Sequence, residues 1–404
     1  MLNKATGKAI ARAEIKFTGL NRFLQGMFPV SRSLGICFLA VLLGSSQSYA
    51  ETSPQLKIST WAGAYKISQE KAFFGPFSTK TGTKIAVSTH KKPLDLLKQW
   101  KESESQSHDL IDLSSFEAEQ ACDAGYLLSL NEEEIAKGAN GERIEKDFMS
   151  NSLIDCAVPS VAWSALMVVK NGAFKKKKPR SWADFFNLKR FPGKRSMKKS
   201  ARYSLETALL AGGVKAEDLY YNLGTIAGQK RAFKKLTSLK DNIVWWETSN
   251  DAINNLKMSD TVMGLAFNGR LFNSIIGDGL DVTLIWQGQL YDLDYWAIPS
   301  NAKNRPGALA FINFATAPKQ LAEQSKWMPY GPMRVSSLKF IGKHNIANIH
   351  MAPYLPTTKA HFQRAIKFNE GFWESSKGKE LEDRFKAWLD GSLSWPEQGE
   401  KQAK

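Results

Sequence analysis

The residues best suited to chemistry in this chain are aromatics set beside carboxylates. Trp61 and Tyr65 follow the short run Leu56 to Ser59. Trp245-Trp246-Glu247 and Phe267-Asn268 close two other runs, and Tyr291-Asp292-Leu293-Asp294-Tyr295-Trp296 leads into a further one. Tyr330-Gly331-Pro332 makes an aromatic turn. Aromatic faces hold alkyl chains and cations, and carboxylates pair with ammonium groups, so the set suits a small amine. Any single Trp could equally fill a core; the whole set converging by chance is a weaker explanation. Other chemistries lack their residues. The chain has no Gly-x-Ser-x-Gly, no phosphate loop and no His-Glu-x-x-His. The histidines at 90, 108, 344, 350 and 361 have no Cys or carboxylate at metal-ligand spacing. Neither a metal nor a cofactor is expected; an exported hydrolase, the least favoured alternative, would need a nucleophile with a base in reach, and the sequence offers no Ser-His or paired-carboxylate motif.

These residues need elements to carry them. Leu56–Ser59, Lys84–Ser88 and Asp109–Leu113 read as strands. Gln69–Phe77, broken at Gly75-Pro76, reads as a helix, as do Leu94–Glu102 and Glu117–Ala124. Strands at 242–246, 261–267, 281–286 and 295–299 alternate with helices at 205–211, 230–238, 251–258 and 306–315. Alternation with short connections predicts an α/β fold around a mostly parallel sheet. Ligands then collect beyond the carboxyl ends of strands, where Trp61, Ser114 and Ser115 fall.

The first fifty residues have a different use. Lys4, Lys8, Arg12, Lys16, Arg22 and Arg32 precede the apolar run Leu34–Leu43, and Ser48-Tyr49-Ala50 follows. This is the pattern of a cleavable export signal, and the run is too short to span a bilayer. Translation from Met27 would give a leader of more usual length. Removing residues 1–50 lowers the formal charge from +16 to +11 and removes Cys37. Much of the remaining excess lies between Lys175 and Arg202. An exported protein rarely meets nucleic acid, so a solvated face or contact with anionic lipid or a partner is expected there. Cys122 and Cys156 remain. They are either a disulfide, worth on the order of 3–4 kcal/mol in the chain-entropy model, or two buried thiols.

The segments TWAGAY, KAFFGPFSTKTGTKI, HDLIDLSS, SWADFFNLKRFPGKR, LETALLAGGVKAEDLY, IVWWETSNDAINNL, VMGLAFNGR and YDLDYWAIPSNAKN carry a family resemblance. From about Trp61 to Trp388 the chain resembles periplasmic solute-binding proteins of ABC importers, of the spermidine/putrescine-binding type. The resemblance implies a type II-like fold of two α/β lobes with the ligand cleft between them. It implies a first lobe of residues 51–162 with 294–338, and a second of 163–293 with 339–404. It also implies a Cys122–Cys156 pair. Ligand contacts implied by matching positions are Trp61, Tyr65, Ser114, Asp294 and Tyr330. Phe116 and Phe267 stand in place of a tyrosine and a tryptophan, and Asp292 in place of a tryptophan. Ser115 and Trp246 complete the expected lining. Where polyamine binders carry two acids for the distal amine, this chain has Ser200-Ala201-Arg202-Tyr203, with Glu206 one turn on. Burying an unpaired amine costs several kcal/mol. A ligand with one amine and one carboxylate therefore fits better, with Asp294 on the amine and Arg202 on the carboxylate. The expected function is a non-enzymatic, monomeric periplasmic receptor for an amine-containing solute that docks on an inner-membrane permease. A sensor presenting its ligand to a membrane receptor is the alternative.

Overall fold

The computed structural model describes residues 55–103 and 108–395. The export signal, Cys37 and the start at Met27 lie outside the described residues. Ten strands are present among them. They are β1 Gln55–Trp61, β2 Lys84–His90, β3 Leu110–Ser114, β4 Ala157–Lys170, β5 Lys194–Lys198, β6 Ile243–Trp246, β7 Thr261–Phe267, β8 Val282–Ala297, β9 Gly331–Pro332 and β10 Ile366–Lys367. The hydrogen-bonded order is β2-β1-β3-β8-β4-β7-β5-β6, with β9 on β4 and β10 on β8.

The sheet is parallel at its two ends and antiparallel in the middle. β1 pairs in parallel with β2 and β3, and β5 with β6 and β7. The centre departs from the expected mostly parallel sheet, because β8 runs antiparallel to β3 and to β4, and β4 antiparallel to β7. Two strands expected at 281–286 and 295–299 are one 16-residue strand, β8. The ladder to β4 loses register between Ile285 and Leu290, across the polar Gln287-Gly288-Gln289, where Gly288 takes φ +70° before the pairing resumes. The helix break expected at Gly75-Pro76 is absent. The chain stays helical through Ala64–Gln69, a π-helical turn Glu70–Phe74 and Gly75–Thr81. Pro76 has no N–H to give back to the preceding turn, and the Gln320 side chain donates to the Ala72 carbonyl there at 2.8 Å.

Two apolar cores form. One gathers Leu56, Phe73, Leu113, Trp296 and Phe311; the other gathers Met197, Trp246, Leu265, Trp373 and Phe385. β4 and β8 belong to both. Ala162 and Tyr291 pack in the first core, and Ala165 and Leu290 in the second. The carboxyl ends of both parallel sets arrive at this changeover. Ser114, ending β3, lies opposite Asp294, which lies opposite Val161. Phe267, ending β7, lies opposite Ala165.

Cys122 and Cys156 form a disulfide with Cα atoms 5.7 Å apart. It ties the helix Ser115–Asp123 to the chain entering β4. Replacing both cysteines by serine is expected to lower the unfolding free energy by about 3 kcal/mol. Urea denaturation measures this, and an unchanged midpoint would refute it.

The basic stretch divides. Lys175 to Lys178 are exposed. Arg195 is instead fully buried, donating to the carbonyls of Phe185 and Gly193 at 2.7 Å and to that of Phe191. A sequence shows its charge but not the three carbonyls that absorb it.

Candidate ligand-binding site

At the changeover, one face of the β3–β8 ladder is acidic. Strand alternation puts Asp112 and Ser114 of β3 on the same face as Asp292 and Asp294 of β8. All three aspartates are buried. Among the described residues, no Lys, Arg or His lies within ion-pair distance of any of them. Burial pushes the Asp112 and Asp292 carboxyls up to about 7. Burial, then Asp112 and Asp292, hold Asp294 well above the carboxylate range.

Each acid has neutral partners. Asp112 accepts from Gln69 Nε2 at 2.5 Å and Thr60 Oγ1 at 3.3 Å. Asp292 accepts from the Ser115 hydroxyl and from the Leu293 N–H at 2.8 Å. The Tyr65 hydroxyl faces Asp112, Asp294 and Ser160, and its ring lies 5.8 Å from that of Tyr330. Trp61 stands edge-on to His90 at 4.5 Å, with its buried Nε1 unbonded. Ser114 is committed elsewhere. Its hydroxyl donates at 2.6 Å to Glu117, which also takes the Ser114 N–H and so caps the helix Ser115–Asp123.

The opposite wall is aromatic. Phe267 meets Trp163, Tyr203 and Trp246 edge-on at 5.5–6.0 Å. Trp246 is almost wholly buried, its Nε1 donating to the Leu265 carbonyl at 3.1 Å, so it backs Phe267. Asn268 ties this cluster to β4 and to the chain just before Tyr330: its Oδ1 accepts the Ser164 N–H at 3.0 Å and its Nδ2 donates to the Pro329 carbonyl at 2.6 Å. Gly269 follows, where an added Cβ would sit 3.4 Å from the Tyr330 ring. A cavity of about 200 Å³ opens beside Ser115, lined by Phe116, Glu119, Tyr220, Lys367, Asn369 and Glu370.

Residues 72–356 match the family of bacterial extracellular solute-binding proteins. This chain belongs to that family. A gamma-aminobutyric acid-binding protein of Pseudomonas aeruginosa is 35% identical to it, over 92% of this chain and 99% of the relative. The spermidine/putrescine-binding periplasmic protein of Escherichia coli K12 is 23% identical, over 84% and 92%. The structure described as the Atu4243-GABA receptor aligns with 86% of this chain and all of its own, at 25% identity and a TM-score of 0.65. The solute-binding proteins to which this chain aligns share its two-lobed α/β fold.

In this solute-binding protein, Trp61, Tyr65 and Tyr330 cluster beside Asp294, and Ser115 holds Asp292, while Phe267 and Trp246 pack with Trp163 and Tyr203 at the second core. Arg202 does not join them as a free cation. Its guanidinium bonds Glu370, and Glu374 at 2.5 Å, with Glu382 3.9 Å away. The fork that was to grip a ligand carboxylate is filled by the protein's own carboxylates. Glu206 is also committed: it is fully buried and accepts from Trp373 Nε1 at 2.6 Å, and burial pushes its carboxyl up to about 8. Just before Glu206 the backbone kinks, with Arg202 extended and Tyr203 left-handed (φ +68°).

Two further residues near these groups were not singled out from sequence. Asp112 was hidden inside the apolar run Leu110-Ile111-Asp112-Leu113; a carboxylate mid-strand is itself the signal. Arg270 was read only as the end of a motif. It is exposed in the first turn of the helix Asn268–Gly277 and makes no ion pair among the described residues. Its charge bears on the Tyr330 hydroxyl, as does that of Asp294.

Proposed function

We propose that this solute-binding protein captures a zwitterionic ω-amino acid of the γ-aminobutyrate type in the periplasm and delivers it to an ABC permease. The observation that carries the reading is the pairing around Tyr330. Its hydroxyl feels both the buried, cation-free Asp294 carboxyl and the uncommitted Arg270 guanidinium. Asp294 would hold the ammonium group, Arg270 the carboxylate, and Phe267 and Tyr65 the methylenes between. The γ-aminobutyrate-binding relative at 35% identity supports the same class.

Export with removal of residues 1–50 belongs to this reading. So does closure of a lobe of 51–162 with 294–338 on one of 163–293 with 339–404. Closure would be driven by ligand contacts to both lobes that exist only in the closed form. Among the described residues no helix is long and apolar enough to cross a membrane. A diamine ligand is the second reading, favoured by Glu119 and Glu370 in the cavity beside Ser115. Both acids are already paired, with Lys367 and Arg202. A distal amine would have to displace a cation there.

Calorimetry of the mature protein with γ-aminobutyrate, longer ω-amino acids, putrescine and spermidine tests the choice. Arg270→Gln is expected to weaken γ-aminobutyrate about 10- to 100-fold, the worth of a charge-assisted contact, and to leave putrescine unchanged or tighter. Equal effects on both ligands would remove Arg270 from the site.

A further inference from the structure

The acids of the site number more than one ammonium group needs. Asp294 alone could balance a single positive charge, yet Asp112 lies diagonally across the ladder from it on the same face. Asp112 is fully buried. Its Oδ2 is engaged by Gln69 and Thr60, but its Oδ1 is buried with no partner. The Tyr65 hydroxyl stands close to both carboxylates. Such a pair is stable when one proton serves both members, because two adjacent anions in a dry site repel.

We propose that Asp112 is a positioning residue that shares a proton with Asp294 in the empty site, so that an arriving ammonium group displaces it and ligand capture releases a proton. The step is simple in its balance. A carboxyl O–H breaks, its proton passes to water or buffer, and the ammonium keeps its own protons. The inference rests on the amine-binding reading above.

Among the described residues, none facing the pair supplies the missing positive charge. β2 contributes His90, beside the Asp112 main chain; burial lowers its pKa to about 4, so it is neutral. The helix Ala64–Gln69 contributes Tyr65, and the helix Ser115–Asp123 contributes Glu117, itself raised by burial. β8 contributes Asp292 and Asp294. Farther off, Lys367 and Glu370 bear on Asp292, and Arg270 on Tyr330. Lys367 is paired with Glu119 and Glu370 with Arg202. The direction of the carboxyl shifts agrees with a retained proton.

The test is calorimetric titration of the full mature protein with γ-aminobutyrate at pH 7 in phosphate and in Tris. These buffers differ widely in ionisation enthalpy. The observed binding enthalpy is expected to differ between them by an amount equivalent to about half to one proton released. Affinity is expected to rise roughly ten- to a hundredfold from pH 5.5 to 7.5, because half to one proton released per ligand over two pH units amounts to one to two powers of ten. Asp112→Asn is expected to cut the released proton by at least half; a residue with only a structural role would leave that number alone. Clear binding with the same enthalpy in both buffers overturns the proposal and leaves the ligand reading standing. Absence of binding by both γ-aminobutyrate and putrescine overturns the ligand reading, and this proposal with it.

Discussion

Replacing Asp294 by asparagine is expected to raise the dissociation constant for γ-aminobutyrate at least about 100-fold. Taking away one partner of a desolvated charge pair leaves the other buried and unpaired, a loss of about 3–5 kcal/mol, and 1.4 kcal/mol is a factor of ten. The amide keeps the shape of the carboxylate, so the loss reports charge and not packing. The same substitution is expected to stabilise the empty protein at neutral pH. Burial holds the Asp294 carboxyl above its ordinary value, so the folded chain binds a proton that the unfolded chain releases. Stability from this group is therefore full below the unfolded value, near pH 4. It falls as pH rises towards the folded value. The empty wild-type protein should melt lower at pH 8 than at pH 5.5, and the variant should show a smaller drop. An unchanged dissociation constant for the variant would remove Asp294 from the amine subsite.

The largest stability effect is expected at a site far from the ligand. Arg334 and Asp147 form an ion pair of 2.9 Å in which both side chains are almost wholly buried. Asp147 also accepts the Ser336 N–H at 2.8 Å and the Ser336 hydroxyl at 3.0 Å, and Arg334 donates to the Ala136 carbonyl at 2.7 Å. The guanidinium stacks over Phe148 at 4.2 Å. Asp147→Ala strips a buried guanidinium of its counter-charge and is expected to cost about 3–5 kcal/mol. Replacing both members by apolar residues of similar volume should recover much of that, because the desolvation penalty disappears with the charges. Urea midpoints of the single and double variants measure the difference. A single variant within about 1 kcal/mol of wild type would show that the pair contributes little.

Short apolar or alternating runs bounded by polar residues were legible from sequence, which is why β1, β2, β3, β6 and β7 stand close to the expected positions. β4 left no such mark. Its fourteen residues are buried almost throughout, so no period distinguishes a central strand from a buried helix. β8 was cut in two because a polar Gln-Gly-Gln resembles a turn, whereas the ladder to β4 continues past it through an irregular register. At the site, Trp61, Tyr65, Asp294 and Tyr330 could be read from residue type and family likeness. Arg202 could not be judged that way. Its neutralising glutamates lie some 170 residues downstream, on helices that pack against it only in the folded chain. Arg270 gave the converse difficulty, since a cation left unpaired is visible only once every possible partner has been placed.

The pairing of β3 with β8 has a consequence for how the molecule is made. Ser114 finds its opposite, Asp294, about 180 residues later in the chain. Until β8 has been translocated and has closed onto β3, that strand edge stays open. Contacts of such long range are slow to form, because the loop must close before it is rewarded. The acid face is therefore assembled in a late step, and ligand has nothing to hold before then. Added ligand should leave the refolding rate almost unchanged and act on the reverse reaction, slowing the loss of the finished structure.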